Sequence, residues 1–100
     1  MSGTSQKDVQ RALSKVMHPE INYSLIDLGM LENVVYEEGK VNLTLKLPFL
    51  QVPVKELIIQ SIKQAIVDLD GGTQVEINIE QMSEQELTNF KKMAKEGWKF

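Results

Sequence analysis

The chain holds one histidine, His18, and no cysteine among its 100 residues, and that shortage bounds its chemistry before any other feature is read. Without a thiol it cannot form a disulfide, present a thiolate nucleophile or hold a metal centre by sulfur. His18 has no second His and no Cys to act with, which leaves too few nitrogen or sulfur ligands for a metal site. As the residue before Pro19 it is expected at a helix C-terminus, interacting with the dipole. Two carboxylates could do acid–base work as a pair, Glu20 and Asp27. A lone acid after a proline is more often solvated or capping, and Asp27, two residues before Gly29, suits an Asx-turn in which its carboxylate bonds local backbone N–H groups. No Ser-His-Asp grouping, P-loop, dinucleotide-binding glycine fingerprint or HExxH motif is present.

The composition fits a single α+β domain over residues 1–100. An apolar share of 42% and a charged share of 25% are those of an ordinary globular chain, long enough to bury roughly 60–65% of its unfolded surface around one core. The net charge of −3 and the scattered Lys and Arg residues disfavour binding to a phosphate backbone. No apolar run approaches a membrane span and the first five residues lack the pattern of a signal peptide, so no membrane association and a cytoplasmic address are expected.

The elements that must position these residues can be read from periodicity. Val9, Leu13, Val16 and Met17 recur at helical spacing over residues 7–17, with Ser5 and Asp8 as a capping box and Pro19 as the stop. Residues 20–30 read as a loop with apolar anchors, and Gly29 is expected at positive φ in a sharp reversal. Residues 33–37 and 40–47 read as a hairpin joined by Glu38 and Gly39. In its second strand Val41, Leu43, Leu45 and Leu47 alternate with Asn42, Thr44 and Lys46. Pro53 suits a first helical position, and Val54, Leu57, Ile58, Ile62, Ala65, Ile66 and Leu69 then hold an amphipathic helix until Gly71 and Gly72. A third strand over residues 73–80 places Val75, Ile77 and Ile79 on one face. Ser83 and Glu86 form a second capping box, and Leu87, Phe90 and Ala94 line a last helix that Gly97 ends, with Trp98 packing back on it in a Schellman motif. Met17, Met30, Met82 and Met93 are expected as gap-filling core or edge residues. The order is αββαβα, a two-layer sandwich with helices on one face of a three-stranded sheet, whose core includes Leu43, Leu45, Ile58, Ile62, Ile66, Val75 and Ile77.

Two stretches carry a resemblance. His18-Pro19-Glu20-Ile21, followed by Asp27-Leu28-Gly29-Met30-Leu31, is similar to the "DPEI … DLGLV" signature of the family known as domain of unknown function fifty-nine. That family includes the amino-terminal domain of Mrp/ApbC ATPases, SufT, PaaD and eukaryotic cytosolic iron–sulfur targeting factors. The similarity continues through the hairpin, the Pro53 helix start, the third strand and the entry to the last helix at Met82, Ser83 and Glu84. It implies a cluster-assembly-like αββαβα fold and a role in maturing iron–sulfur proteins, without implying a reaction. There are two departures: the first Asp of the signature is His18, and the family's Cys, which immediately precedes a proline and has the counterpart of Asp27 nearby, corresponds to Val52.

A helix start is a sensible place for a reactive cysteine, because unpaired N–H groups and the dipole stabilise a thiolate, and valine removes that chemistry. The resemblance and the residues together point to a non-enzymatic adaptor whose partners are iron–sulfur assembly proteins or client metalloproteins, with no cofactor of its own; a homodimer is compatible with it. Glu20, Asp27, Gly29, Phe49, Leu50, Val52 and Pro53 make up the candidate contact surface. Rival readings are a PaaD-like factor dedicated to one metalloenzyme complex, a KH-like nucleic-acid binder, for which a GXXG loop and a basic groove are lacking, and an enzyme subunit with a carboxylate site at Glu20 and Asp27. Anaerobic incubation with ferrous iron, sulfide and reductant should leave the desalted chain colourless, since carboxylates and one imidazole cannot replace thiolates. A stable, stoichiometric cluster absorption band would show the non-carrier reading to be wrong.

Overall fold

The computed structural model describes residues 4–48 and 53–98. Its elements are α1 (Gln6–Ser14), β1 (Leu31–Glu37), β2 (Lys40–Leu47), α2 (Lys55–Leu69), β3 (Gln74–Gln81) and α3 (Glu84–Gly97). The three strands form one sheet in the order β1-β2-β3, with β1 antiparallel and β3 parallel to the central β2.

The capping box of α1 is present: the Asp8 N–H donates to Ser5 Oγ at 3.3 Å and the Ser5 N–H to Asp8 Oδ2 at 3.1 Å. The helix buries Val9 and Leu13 but stops at Ser14, short of the expected residue 17. Its end is set by backbone pairing with the following loop rather than by Pro19. The Leu25 N–H donates to the Val16 carbonyl at 2.9 Å, the His18 N–H donates to the Tyr23 carbonyl at 3.1 Å, and Met17 bridges to Ser24. Those groups are therefore withdrawn from helical use. Val16 remains buried while Met17 is exposed.

The hairpin turn places Glu38 at φ 48° and Gly39 at φ 76°, the two positive angles of a type I′ connection. β1 begins two residues earlier than expected, and Asn33 at φ 56° forms a bulge between the Glu32 and Val35 pairings. The extra residue matters for facing. Leu31 pairs with Leu45 and Tyr36 with Val41 on the apolar side, while Glu32 pairs with Thr44 and Val35 with Asn42 on the other; an unbroken alternation could not put Leu31 and Tyr36 on one face.

Val41, Leu43, Leu45 and Leu47 on β2 are buried together with Val9 and Leu13 of α1 and Ile58, Ile62 and Ile66 of α2. α2 starts at Lys55 with Val54 as N-cap, so Pro53 sits just ahead of the helix instead of at its first position. It ends before Gly71 and Gly72, where Asp70 Oδ1 accepts the Gly72 N–H at 3.1 Å. Val75 and Ile77 on β3 are half-buried against the core, and Ile79 is 39% exposed because β3 is an edge strand. α3 opens on its expected capping box, Ser83 with Glu86. No helix among the described residues is long and apolar enough to cross a membrane. Ile62, fully buried at the centre of the α2 face, provides the test of this core: Ile62→Ala should cost about 2–5 kcal/mol in urea unfolding, the range for truncating a well-packed Ile. A loss below about 1 kcal/mol would mean that the α2 face is wrongly assigned.

Candidate functional site

The signature stretch folds around Ser24. Its Oγ accepts the Asp27 N–H at 3.0 Å and its carbonyl accepts the Leu28 N–H at 3.1 Å, while the Met30 N–H returns to the Leu25 carbonyl at 2.9 Å. Leu25, Leu28 and Met30 are driven into the core, which leaves Asp27 and Gly29 outside. Gly29 has φ +74°, as expected; an added Cβ would meet no atom within 4 Å, so backbone conformation alone asks for glycine. The turn is fixed by Ser24 and not by Asp27, whose carboxylate makes no hydrogen bond or ion pair among the described residues. That corrects the Asx-turn reading and leaves the carboxylate facing outward.

His18 lies beyond the end of α1 and is buried, so it is not the helix C-terminal residue expected from sequence. Its Nδ1 accepts the Glu20 N–H at 3.0 Å. An Asp at this place would accept from the same N–H two residues on, as in an Asx-turn. The imidazole thus holds the geometry that the family's acid would hold.

α3 closes the other side of this segment. Gly97 ends the helix, but not by adopting positive φ: a Cβ there would come within 2.6 Å of the Tyr23 ring and 3.3 Å of Ile21, so the glycine permits close approach. The Asn22 N–H donates to the Gly97 carbonyl, and Trp98 bridges to Ile21. Trp98 is 50% exposed instead of folded back in a Schellman contact. Between the two walls runs an open groove of about 750 Å³, with Asp27, Leu28, Gly29, Leu31 and Glu32 on one side and Glu86, Asn89, Lys92, Met93 and Glu96 of α3 on the other.

Lys46 ties the two walls together through Glu32 and Glu86. It projects from the polar face of β2, and its Nζ lies 3.3 Å from Glu86, 3.5 Å from Glu80 and 3.6 Å from Glu32. One ammonium therefore joins β1, β3 and the first turn of α3. The hydrogen bond to Glu86 and the three carboxylates raise the Lys46 pKa above 10.5, against a smaller opposing effect of burial. The Ser83 N–H and hydroxyl, then Lys46, hold the Glu86 carboxyl below its ordinary 4.5.

Of the candidate contact residues, Asp27 and Gly29 line the groove and Glu20 does not. Pro53 is exposed elsewhere, ahead of α2. Phe49, Leu50 and Val52 lie outside the described residues. Periodicity gave no sign of the α3 wall, because it marks which helix face is apolar and not which polar residues gather opposite a distant loop.

The model of the family described as "Iron-sulfur cluster assembly protein" matches residues 6–79, and the chain belongs to that family. It is 33% identical over 85 residues to an iron–sulfur cluster carrier protein of Mycobacterium leprae, a match covering 84% of this chain and 22% of the relative. The chain thus spans about a quarter of the length of such carriers. A Bacillus subtilis protein named Fe-S protein maturation auxiliary factor YitW is 26% identical, with 79% of this chain and 78% of that protein covered. In fold, the chain superposes on a crystal structure of domain of unknown function DUF59 from Bacillus anthracis with a TM-score of 0.71 and 18% identity, covering 91% of each chain.

The depressed Glu86 carboxyl has a consequence for stability. A carboxyl held below its unfolded value contributes stability that is complete above about pH 4.5 and is lost as pH falls through the folded value. Glu86→Gln should therefore lower stability at neutral pH and flatten its decline on acidification below that point. A variant whose urea midpoint falls as steeply with acid as the parent would show that Glu86 is not a contributor.

Proposed function

We propose that the chain is a contact module in iron–sulfur protein maturation, working in the cytoplasm and binding assembly or client proteins without itself carrying the cluster or catalysing a reaction. The observation behind this is the groove: the family's signature segment, residues 27–31, forms one wall of it, with the exposed carboxylate of Asp27 at its rim. The relatives named as carriers and maturation factors support the cluster-assembly setting. A cluster as cargo needs thiolates, which this sequence does not contain. Recognition through the groove is then a matter of shape and charge.

Among the described residues acids outnumber bases along the walls, with Asp27, Glu32, Glu86 and Glu96 against Lys92, and Glu32 and Glu86 also engaged by Lys46. A partner segment carrying Lys or Arg fits that balance. In the source organism, deleting the gene should lower the activity of iron–sulfur enzymes. The parent chain should restore it, and Asp27→Lys should not, while leaving the circular dichroism spectrum and thermal midpoint unchanged. Full iron–sulfur enzyme activity in the deletion strain would overturn the maturation role; full rescue by a folded Asp27→Lys would remove the groove from it.

A further inference from the structure

The two edges of the sheet are treated differently. The outer edge of β1 is interrupted by the Asn33 bulge and occupied by Gln6, whose side-chain amide donates to the Val34 carbonyl at 2.6 Å and accepts the Tyr36 N–H at 2.6 Å. Among the described residues β3 has no such cover. It runs for eight residues, Gln-Val-Glu-Ile-Asn-Ile-Glu-Gln, with no proline, lysine or bulge, the usual devices that blunt an edge.

The direction of its free groups follows from its ends. The Gln74 N–H donates to the Gly39 carbonyl and the Met82 N–H to the Leu47 carbonyl, so even-numbered residues aim their peptide groups at β2. With the register unbroken in between, alternation turns the N–H and C=O of Val75, Ile77, Ile79 and Gln81 outward. None of these has a hydrogen-bonding partner on that side among the described residues.

We propose that this edge pairs with itself: two copies of the chain associate about a two-fold axis through antiparallel β3 strands centred on Ile77, giving one sheet continuous across both. The sequence of the strand selects this occupant and this register. Outward groups must face outward groups, so the axis must pass through a residue and not between two. Centring on Glu76 would set Glu76 against its own copy, and centring on Asn78 would set Glu76 against Glu80, both like-charge pairs. Centring on Ile77 sets Ile77 against itself, Val75 against Ile79, Glu76 against Asn78 and Gln74 against Glu80. Every apolar residue then meets an apolar one, and every carboxylate meets an amide.

The remaining acidity of the strand is already countered within each copy. Lys40 reaches Glu76 at 3.0 Å and Lys46 reaches Glu80 at 3.5 Å. On the helical face, Val67 and Val75 line an open recess of about 440 Å³ at this edge, and Ile79 of the second copy would lie beside Val75. Val67 at 47% exposed and Ile79 at 39% exposed gain cover by the same contact. This inference does not depend on the maturation role.

The absence of native cysteine makes the test direct. Sedimentation equilibrium of the parent chain should give the dimer mass, falling toward that of the monomer on dilution. Ile79→Pro, which deletes an outward N–H and no ladder bond, should shift the chain to monomer with an unchanged circular dichroism spectrum. For the register, Ile77→Cys should cross-link to its own copy under oxidised glutathione, its paired Cα atoms being about 5.5 Å apart. Asn78→Cys should cross-link at least an order of magnitude more slowly, because its copies stand diagonally about 7–8 Å apart. A parent chain that remains monomeric at millimolar concentration would overturn the proposal and leave the edge to an extended segment of another protein. Cross-linking as fast at Asn78→Cys as at Ile77→Cys would overturn the register, whether or not Ile79→Pro folds.

Discussion

Burial of one face of β2 is the constraint on which the rest of the molecule depends. Val41, Leu43, Leu45 and Leu47 are each at most 1% exposed beneath α1 and α2. Because side chains alternate with a period of two, a one-residue slip would present Asn42, Thr44 and Lys46 to Ile58, Ile62 and Ile66. An unpaired ammonium in that apolar layer would cost several kcal/mol. Both neighbours of β2 must therefore hold their registers, and β1 does so by absorbing Asn33 as a bulge. The same register sends Lys46 to the opposite face, where it gathers Glu32, Glu80 and Glu86. The position of α3, and with it the groove, is inherited from the strand's apolar side.

Closure of the β1 edge belongs to the same set of dependencies. The Gln6 amide acts as a peptide group of a neighbouring strand would, donating to one backbone group and accepting from another. It also lies in the first turn of α1, so the contact that blunts the edge fixes where that helix begins relative to the sheet. Buried Val9 and Leu13 then fall over β1 and α2 without further adjustment. An amide suits the post because it carries donor and acceptor side by side; a carboxylate or an ammonium would satisfy only one of the two backbone groups.

Much of this was legible where local chemistry decides the outcome. The capping boxes at Ser5 and Ser83, the alternation of β2, the spacing of α2 and the positive φ of Gly29 need only nearby residues to be understood. The features that escaped depend on distant partners. α1 stops early because Val16 and His18 are claimed by residues 23 and 25, and Gly97 is required by the Tyr23 ring and not by helix termination. Asn33 offered a weak signal, since Asn tolerates the left-handed region, but only pairing with β2 shows that the residue is inserted. The groove was not legible for the same reason: its walls are joined by tertiary packing and by Lys46, not by any repeat or motif.

The two departures from the family signature make sense together. At His18 the structural service of an acid is kept, as Nδ1 still receives the Glu20 N–H, while the negative charge of a carboxylate is removed. At residue 52, where the resemblance implies a cysteine, the sequence has valine. A reactive thiolate is held by its electrostatic surroundings, and once it is lost there is no remaining need to tune charge around it. What must persist is whatever shapes the backbone: the reversal at Gly29, the Ser24 turn and the close approach of α3 at Gly97. Each is present. The backbone devices that shape the signature wall of the groove are thus present in a sequence that contains no thiol.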